Sequence, residues 1–441
     1  MKTILCADTV LTLDEQRRIF EPGCVVVEDD RIVEVGTQER LKDVGGGQKV
    51  DMSGRLLMPG LVNAHTHTPM VLFRGIAEGH SLFTYEGWYN SIRVIEYVAD
   101  ADMTPAAVTV SCAEMIRTGT STFADQYFYM DRVLPVVRQS GMRAVLSYGI
   151  VDEKDDLAVE RELTNATAFL QSAQGEARIQ AWIGPHALFE DNRLETILKE
   201  IPLAERYTAG FHIHLLTDSA EDDFCRAHYG VSAVEKMKEI GLLKFPVLAA
   251  HCVGLQEHDM PHLAGTPFTA VICPSASMRS GAGAAPLRAM RQAGVNTALG
   301  SDNVANSNSY DLFGEMGLAA RLMSLREKQP AAVTAREVVE MATLGGARGL
   351  GLEDQIGSLE VGKKADLISL DTDAVGWAPR NGQDVYTALV YAVSGMHVCD
   401  VMVDGEWLLK DARWTTLDYL GARRELEEAR AELARRMGGR E

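Results

Sequence analysis

The chain has 441 residues, enough for two or three domains or for one barrel with an appendage. Its 46% hydrophobic and 24% charged residues are ordinary for a globular chain with a large core. The balance of 43 Lys+Arg against 62 Asp+Glu, a net charge of −19, argues against a broad basic surface for nucleic acid or anionic membrane.

Residues 1–16 carry Asp8, Asp14 and Glu15 and no unbroken apolar run, so a secretory signal is not expected. No later stretch approaches the roughly 18 apolar residues of a membrane span. Seven scattered cysteines with no C-x-x-C pair suggest neither a disulfide framework nor a Cys₄ metal site, and fit a reducing cytoplasm. Stretches 3–11, 24–35 and 49–57 read as strands, with turns at Glu21-Pro22-Gly23 and Glu28-Asp29-Asp30, and no helical period appears before Pro59.

After Pro59 short apolar runs alternate with longer amphipathic stretches such as 104–117, 133–140 and 233–240. Eight candidate strands follow: 60–67, 119–125, 142–150, 178–186, 210–215, 246–252, 268–274 and 295–302. This is the pattern of a (β/α)₈ TIM barrel. The tail returns to strands at 365–370 and 400–409 and closes on an amphipathic helix at 417–437. The expected organisation is a small β-sandwich built from both termini (1–58 and 351–415), a metal-dependent barrel (59–350) and a C-terminal helix (416–441).

Barrel active sites gather where the strands end. Strand one ends in His65-Thr66-His67, and residues two apart on a strand share a face, which offers a pair of imidazole ligands. Strand five ends in His212-Ile213-His214, strand six in His251 and strand eight in Asp302. Imidazoles beside a carboxylate suit Zn²⁺ or Fe²⁺. Each His alone is ordinarily a core or surface residue; polar residues at four strand ends together are not. Gln126, after Asp125 on strand two, faces the expected pocket wall.

With Pro59-Gly60-Leu61-Val62-Asn63-Ala64-His65-Thr66-His67, Gly184-Pro185-His186, Ala250-His251-Cys252-Val253 and Ala298-Leu299-Gly300-Ser301-Asp302, the chain resembles the amidohydrolase superfamily over nearly its whole length. Within it, the chain is similar to methylthioadenosine/S-adenosylhomocysteine deaminases and triazine hydrolases. The resemblance implies one divalent ion, Zn²⁺ with Fe²⁺ as the alternative, on His65, His67, His214 and Asp302. It also implies His251 and Asp302 acting on the attacking water. His186, Trp88 and Glu96 match substrate contacts, although Glu96 stands one residue closer to Trp88 than in the relatives. Relatives are often dimers or tetramers, so a homo-oligomer acting on a small heterocycle is expected.

Three positions depart from the pattern. Where the relatives carry a proton-donating Glu, three residues after the strand-five ligand, this chain has Thr217, with Asp218 next as a substitute if a bulge re-aims it. Strand seven ends in Ile272-Cys273-Pro274 instead of a polar wall. Asn306 replaces a common Ser four residues after Asp302. The aromatics Phe83, Tyr85, Trp88 and Tyr89 on the loop 78–96 suit a lid over a flat substrate. The leading reading is hydrolytic deamination of an aminated N-heterocycle of purine, pterin or triazine type. Loss of chloride, alkylamine or alkylthio, or amide or urea hydrolysis, would use the same site. A non-catalytic binding protein would be expected to have lost ligands, and the H-x-E/P-C-x-x-C deaminases are excluded for want of a P-C-x-x-C.

Overall fold

The change of pattern at Pro59 is a change of sheet. The computed structural model describes residues 2–41, 44–152, 155–189, 191–380 and 382–438, with Tyr85 described through its backbone alone. Strands β1 (Lys2–Leu11), β2 (Ile19–Phe20), β3 (Gly23–Glu28), β4 (Arg31–Thr37) and β5 (Gln48–Pro59) precede it. The barrel strands are β6 (Leu61–Thr66), β7 (Thr120–Tyr127), β8 (Arg143–Ile150), β9 (Ile179–Pro185), β10 (Phe211–Leu215), β11 (Val247–His251), β12 (Phe268–Ile272) and β13 (Asn296–Leu299). The tail adds β14 (Leu367–Asp371), β15 (Val398–Val403), β16 (Glu406–Lys410) and β17 (Arg413–Trp414).

Strands β6 to β13 pair in sequence order, all parallel, in a nearly closed barrel. Six of them are buried at every position, which is why they read as continuous apolar runs and not as alternation. The last strand returns to the first at Gly300. A Cβ there would lie 2.8 Å from the Cβ of His65, so only glycine lets the two strand ends meet. Asp302 N then donates to His65 O at 3.0 Å.

The strands of both termini form one mixed sheet in the order β17-β16-β15-β14-β5-β1-β3-β4, with β2 beside β1. Strand β5 lies parallel to β1 on one edge and antiparallel to β14 on the other. Alternation sorts its apolar residues onto two faces: Leu5, Val25 and Leu367 on one, Ile4, Cys24 and Val26 on the other.

One expectation about the cysteines is corrected here. Cys6 and Cys24 stand directly opposite each other on β1 and β3 and form a disulfide. Spacing along the chain hides this pair because strand register alone brings it together. A single helical turn, Gln38–Leu41, also lies in the N-terminal stretch, too short to show a period. The helix Tyr419–Gly438 packs on the helix Thr104–Arg117, and its Arg436 donates to the Val98 carbonyl at 3.2 Å. Among the described residues no helix is long and apolar enough to cross a membrane.

The base of the barrel is tied to the mixed sheet by buried charge. Arg143 on β8 donates to both carboxylate oxygens of Asp366 at 3.0 and 3.1 Å and also to Asp404. Arg178 reaches the other oxygen of Asp404 at 2.8 Å.

Candidate active site

At the opposite end of the barrel, buried polar atoms converge. His65 lies near the end of β6 and His67 just beyond it, His214 lies near the end of β10, and Asp302 follows β13. His67 Nε2 is 3.2 Å from both His65 Nε2 and His214 Nε2. Asp302 Oδ1 is 3.5 Å from His65 Nε2 and 3.4 Å from His67 Nε2.

The outward nitrogens fix the tautomers. His67 Nδ1 donates to the Gln126 carbonyl and His214 Nδ1 to the His186 carbonyl, both at 2.6 Å. A carbonyl only accepts, so each ring carries its proton outside and turns a lone pair inward. His65 completes the pattern through His212, whose Nε2 lies 2.7 Å from His65 Nδ1 and whose Nδ1 lies 3.4 Å from Ser147 Oγ. Lone pairs facing one another beside a carboxylate repel unless a cation lies between them. The spacings of 3.2–3.5 Å are close to the roughly 3.3 Å edge of a tetrahedron with ligands about 2.0–2.1 Å from its centre, and all four donor atoms lie within 4.8 Å of one another. The four donors therefore fit a divalent metal ion. Burial helps two of them, pushing His65 down to about 4 and His214 well below its ordinary range, so both rings stay neutral.

The backbone is bent to present these groups. His251 (φ 77°), Cys252 (φ 55°) and Asp302 (φ 60°) all take the left-handed region. Such strain in non-glycine residues persists where surrounding structure holds it, commonly at functional sites. Asp125 on β7 locks the first turn, accepting from Thr66 Oγ1 at 2.8 Å and from Thr68 N at 2.7 Å on either side of His67. His251 lies against His214 with ring centroids 5.3 Å apart and planes 14° from parallel. Its Nδ1 is buried without a partner among the described residues, while burial pushes the ring's pKa down to about 3.

A family model described as "Amidohydrolase family" matches residues 56–408. The chain belongs to the amidohydrolase family. It is 37% identical over 437 residues, 97% of each chain, to the 5'-deoxyadenosine deaminase of Methanosarcina mazei. It is 35% identical, over 96% of each chain, to the 5-methylthioadenosine/S-adenosylhomocysteine deaminase of Caldanaerobacter subterraneus subsp. tengcongensis. Among solved structures, an adenosine deaminase from Xanthomonas campestris with bound zinc superposes with a TM-score of 0.92 at 28% identity, covering 98% of each chain. The atrazine chlorohydrolase of Arthrobacter aurescens, at 22% identity and a TM-score of 0.86 over 98% of this chain and 100% of its own, shares the fold.

In this amidohydrolase the cavity above the four donors is lined by most of the side chains singled out in the sequence. Trp88, His186, Glu96, Gln126, Thr217, His251 and Asp302 all face it. The indole of Trp88 stacks on His186 with centroids 4.7 Å apart. Glu96 is drawn in beside Arg93 at 3.3 Å, and burial pushes its carboxyl pKa upward. Gln126 also ties strands together, its Nε2 donating to the His212 carbonyl at 2.7 Å.

Two expected site residues turn elsewhere. Asp218 accepts from Ala220 N at 2.7 Å, at the start of the helix Ala220–Tyr229, and does not line the cavity. No bulge re-aims it, and the following helix claims its carboxylate. Asn306 is buried against Ser280 and the Ala276 carbonyl. Its neighbour Asn303 lines the cavity instead and donates to Asp302 Oδ1 at 2.9 Å. Sequence reasoning also missed Asp191, whose carboxylate takes the His186 Nδ1–H and accepts from Ala187 N at 2.9 Å. A carboxylate five residues beyond a strand-end His, inside a turn, was the available signal. The side chain of Tyr85 lies outside the described residues.

Proposed function

We propose that this amidohydrolase hydrolytically removes the exocyclic amino group of a purine nucleoside of the 5'-deoxy- or 5'-substituted adenosine type, with Zn²⁺ as its metal. The observation that carries the reading is the convergence of His65, His67, His214 and Asp302 beneath a cavity walled by Trp88 and His186. The deaminase names of relatives matched over nearly the whole chain support it.

In this reading the four donors would hold the ion, which would lower the pKa of the attacking water toward about 7. Asp302, reaching both the donor cluster and the cavity, takes the proton of that water and passes it to the departing nitrogen. His251, kept neutral by burial, polarises the reacting centre from the His214 side. Trp88 and His186 hold the flat ring, and Glu96 accepts hydrogen bonds from sugar hydroxyls. Asp191 fixes the ring of His186 so that Nε2 is its free edge.

A second reading, hydrolysis of an amide or urea bond, which needs no ring nitrogen to be protonated, is favoured by one observation. Thr217 cannot protonate a ring nitrogen as a carboxylic acid does. The deciding experiment measures zinc per chain and assays ammonia release from adenosines, free purines, pterins and aminotriazines. One zinc per chain with ammonia from 5'-deoxyadenosine or a 5'-thioether is expected. Hydrolysis of amides or ureas, with no ammonia from any aminated ring, replaces the first reading by the second.

A further inference from the structure

The lid offers an answer to the question that Thr217 poses. The arc from Glu78 to Asn90 runs over the barrel mouth, and among its described side chains only Phe83 is buried. The ring of Phe83 rests on His251 with centroids 4.2 Å apart. A few residues on, Trp88 rests on His186. Between these two contacts the Phe83 carbonyl accepts a hydrogen bond from Thr217 Oγ1 at 3.2 Å. Glu78 on this arc also pairs with Arg279, its own side chain 80% exposed.

We propose that Thr217 is a positioning residue that latches the lid closed: its hydroxyl holds the Phe83 carbonyl, and thereby seats Phe83 on His251 and Trp88 on His186. The chemistry of the position supports this. A carbonyl needs a donor, and an ionised carboxylate has none to give, whereas a threonine hydroxyl donates at every working pH. The β-branched side chain holds few rotamers, so the hydroxyl stays aimed. The departure at residue 217 thus exchanges an acid for a clasp. The lid lines the cavity with Leu82, Phe83, Thr84 and Trp88, so the closed arc completes the pocket as well as covering it. The kinetic consequence rests on the deaminase reading; the latch itself does not.

The test is hydrogen exchange of the zinc-loaded protein across 82–90, comparing wild type with Thr217→Val and Thr217→Ser. Valine keeps the shape and removes the donor; serine keeps the donor. Exchange in T217V is expected to quicken by roughly two- to tenfold, the range of one hydrogen bond lost, while T217S stays close to wild type. Zinc content is expected to be equal in all three. With an active substrate, KM is expected to rise in T217V by a similar factor and by more than kcat falls, with rescue in T217S. Equal exchange in T217V and wild type overturns the latch, as does an equal rise in T217V and T217S. Quickened exchange in T217V alone, with no ammonia released by any of the three proteins, leaves the latch standing and overturns the deaminase reading.

Discussion

The two ends of the barrel bury polar charge in opposite ways. At the base every charge meets its complement: Arg143 grips Asp366 and Asp404, and Arg178 closes the set. At the mouth, three imidazoles and a carboxylate turn their lone pairs toward one another. Burying a charge is costly unless it is paired, so a fold selected for stability alone converges on the arrangement at the base. Satisfied polar groups within the protein mark structure, and convergent unsatisfied ones mark a place for a ligand.

The largest effect should come from breaking the mouth. Asp302→Ala or His67→Ala is expected to lower zinc well below one per chain and activity by on the order of a thousandfold or more, with the denaturation midpoint of the metal-free protein little changed. Metal analysis and unfolding of the same samples read both. Breaking the base reverses the pattern. Arg143→Met leaves Asp366 and Asp404 without their shared partner and is expected to destabilise the fold by about 3–5 kcal/mol. Activity per folded molecule should survive, and a variant as stable as wild type sinks the contrast.

A smaller and sharper test uses Glu315, a buried acid with no cation beside it among the described residues. Its carboxylate accepts from Ser275 N at 3.0 Å and from the Ser275 hydroxyl. Burial raises its pKa from an ordinary 4.5 to about 7. Because the folded pKa exceeds the unfolded one, the unfolded chain loses this proton first as pH rises. Stability is then fully present below about pH 4.5 and declines until about pH 7, by roughly 3 kcal/mol from this group. Glu315→Gln is expected to flatten that part of the stability–pH curve, and an unchanged slope assigns it to other groups.

The difference between the two ends also explains what could be read in advance. The metal cluster was legible because each donor sits at a strand terminus, where a period of two and an apolar run fix both position and face; His65 and His67 are the plainest case. The substrate wall was less legible because turns build it. Asp218 looked available until the helix beginning at Ala220 claimed it. Asn306 and Asn303 differ by three residues along one loop, and no periodicity distinguishes the one that faces the cavity. Asp191 reaches His186 only because the chain folds back within five residues. Arg143 and Asp366 are 223 positions apart, and Cys6 meets Cys24 through register alone. Such pairings follow from tertiary closure, which no local window contains.

The mixed sheet carries a consequence for the order in which the molecule can be made. Strand β5 ends at Pro59, and the edge it offers to β14 stays unsatisfied until residues 367–371 exist. At synthesis rates of about 5–20 residues per second, the ribosome takes roughly 15–60 s to reach them. Through that interval the barrel can assemble strand by strand in sequence order, while the N-terminal strands hold an open edge of the kind that recruits other chains. The site forms from the middle of the chain, and the sheet beneath it is sealed from the two ends.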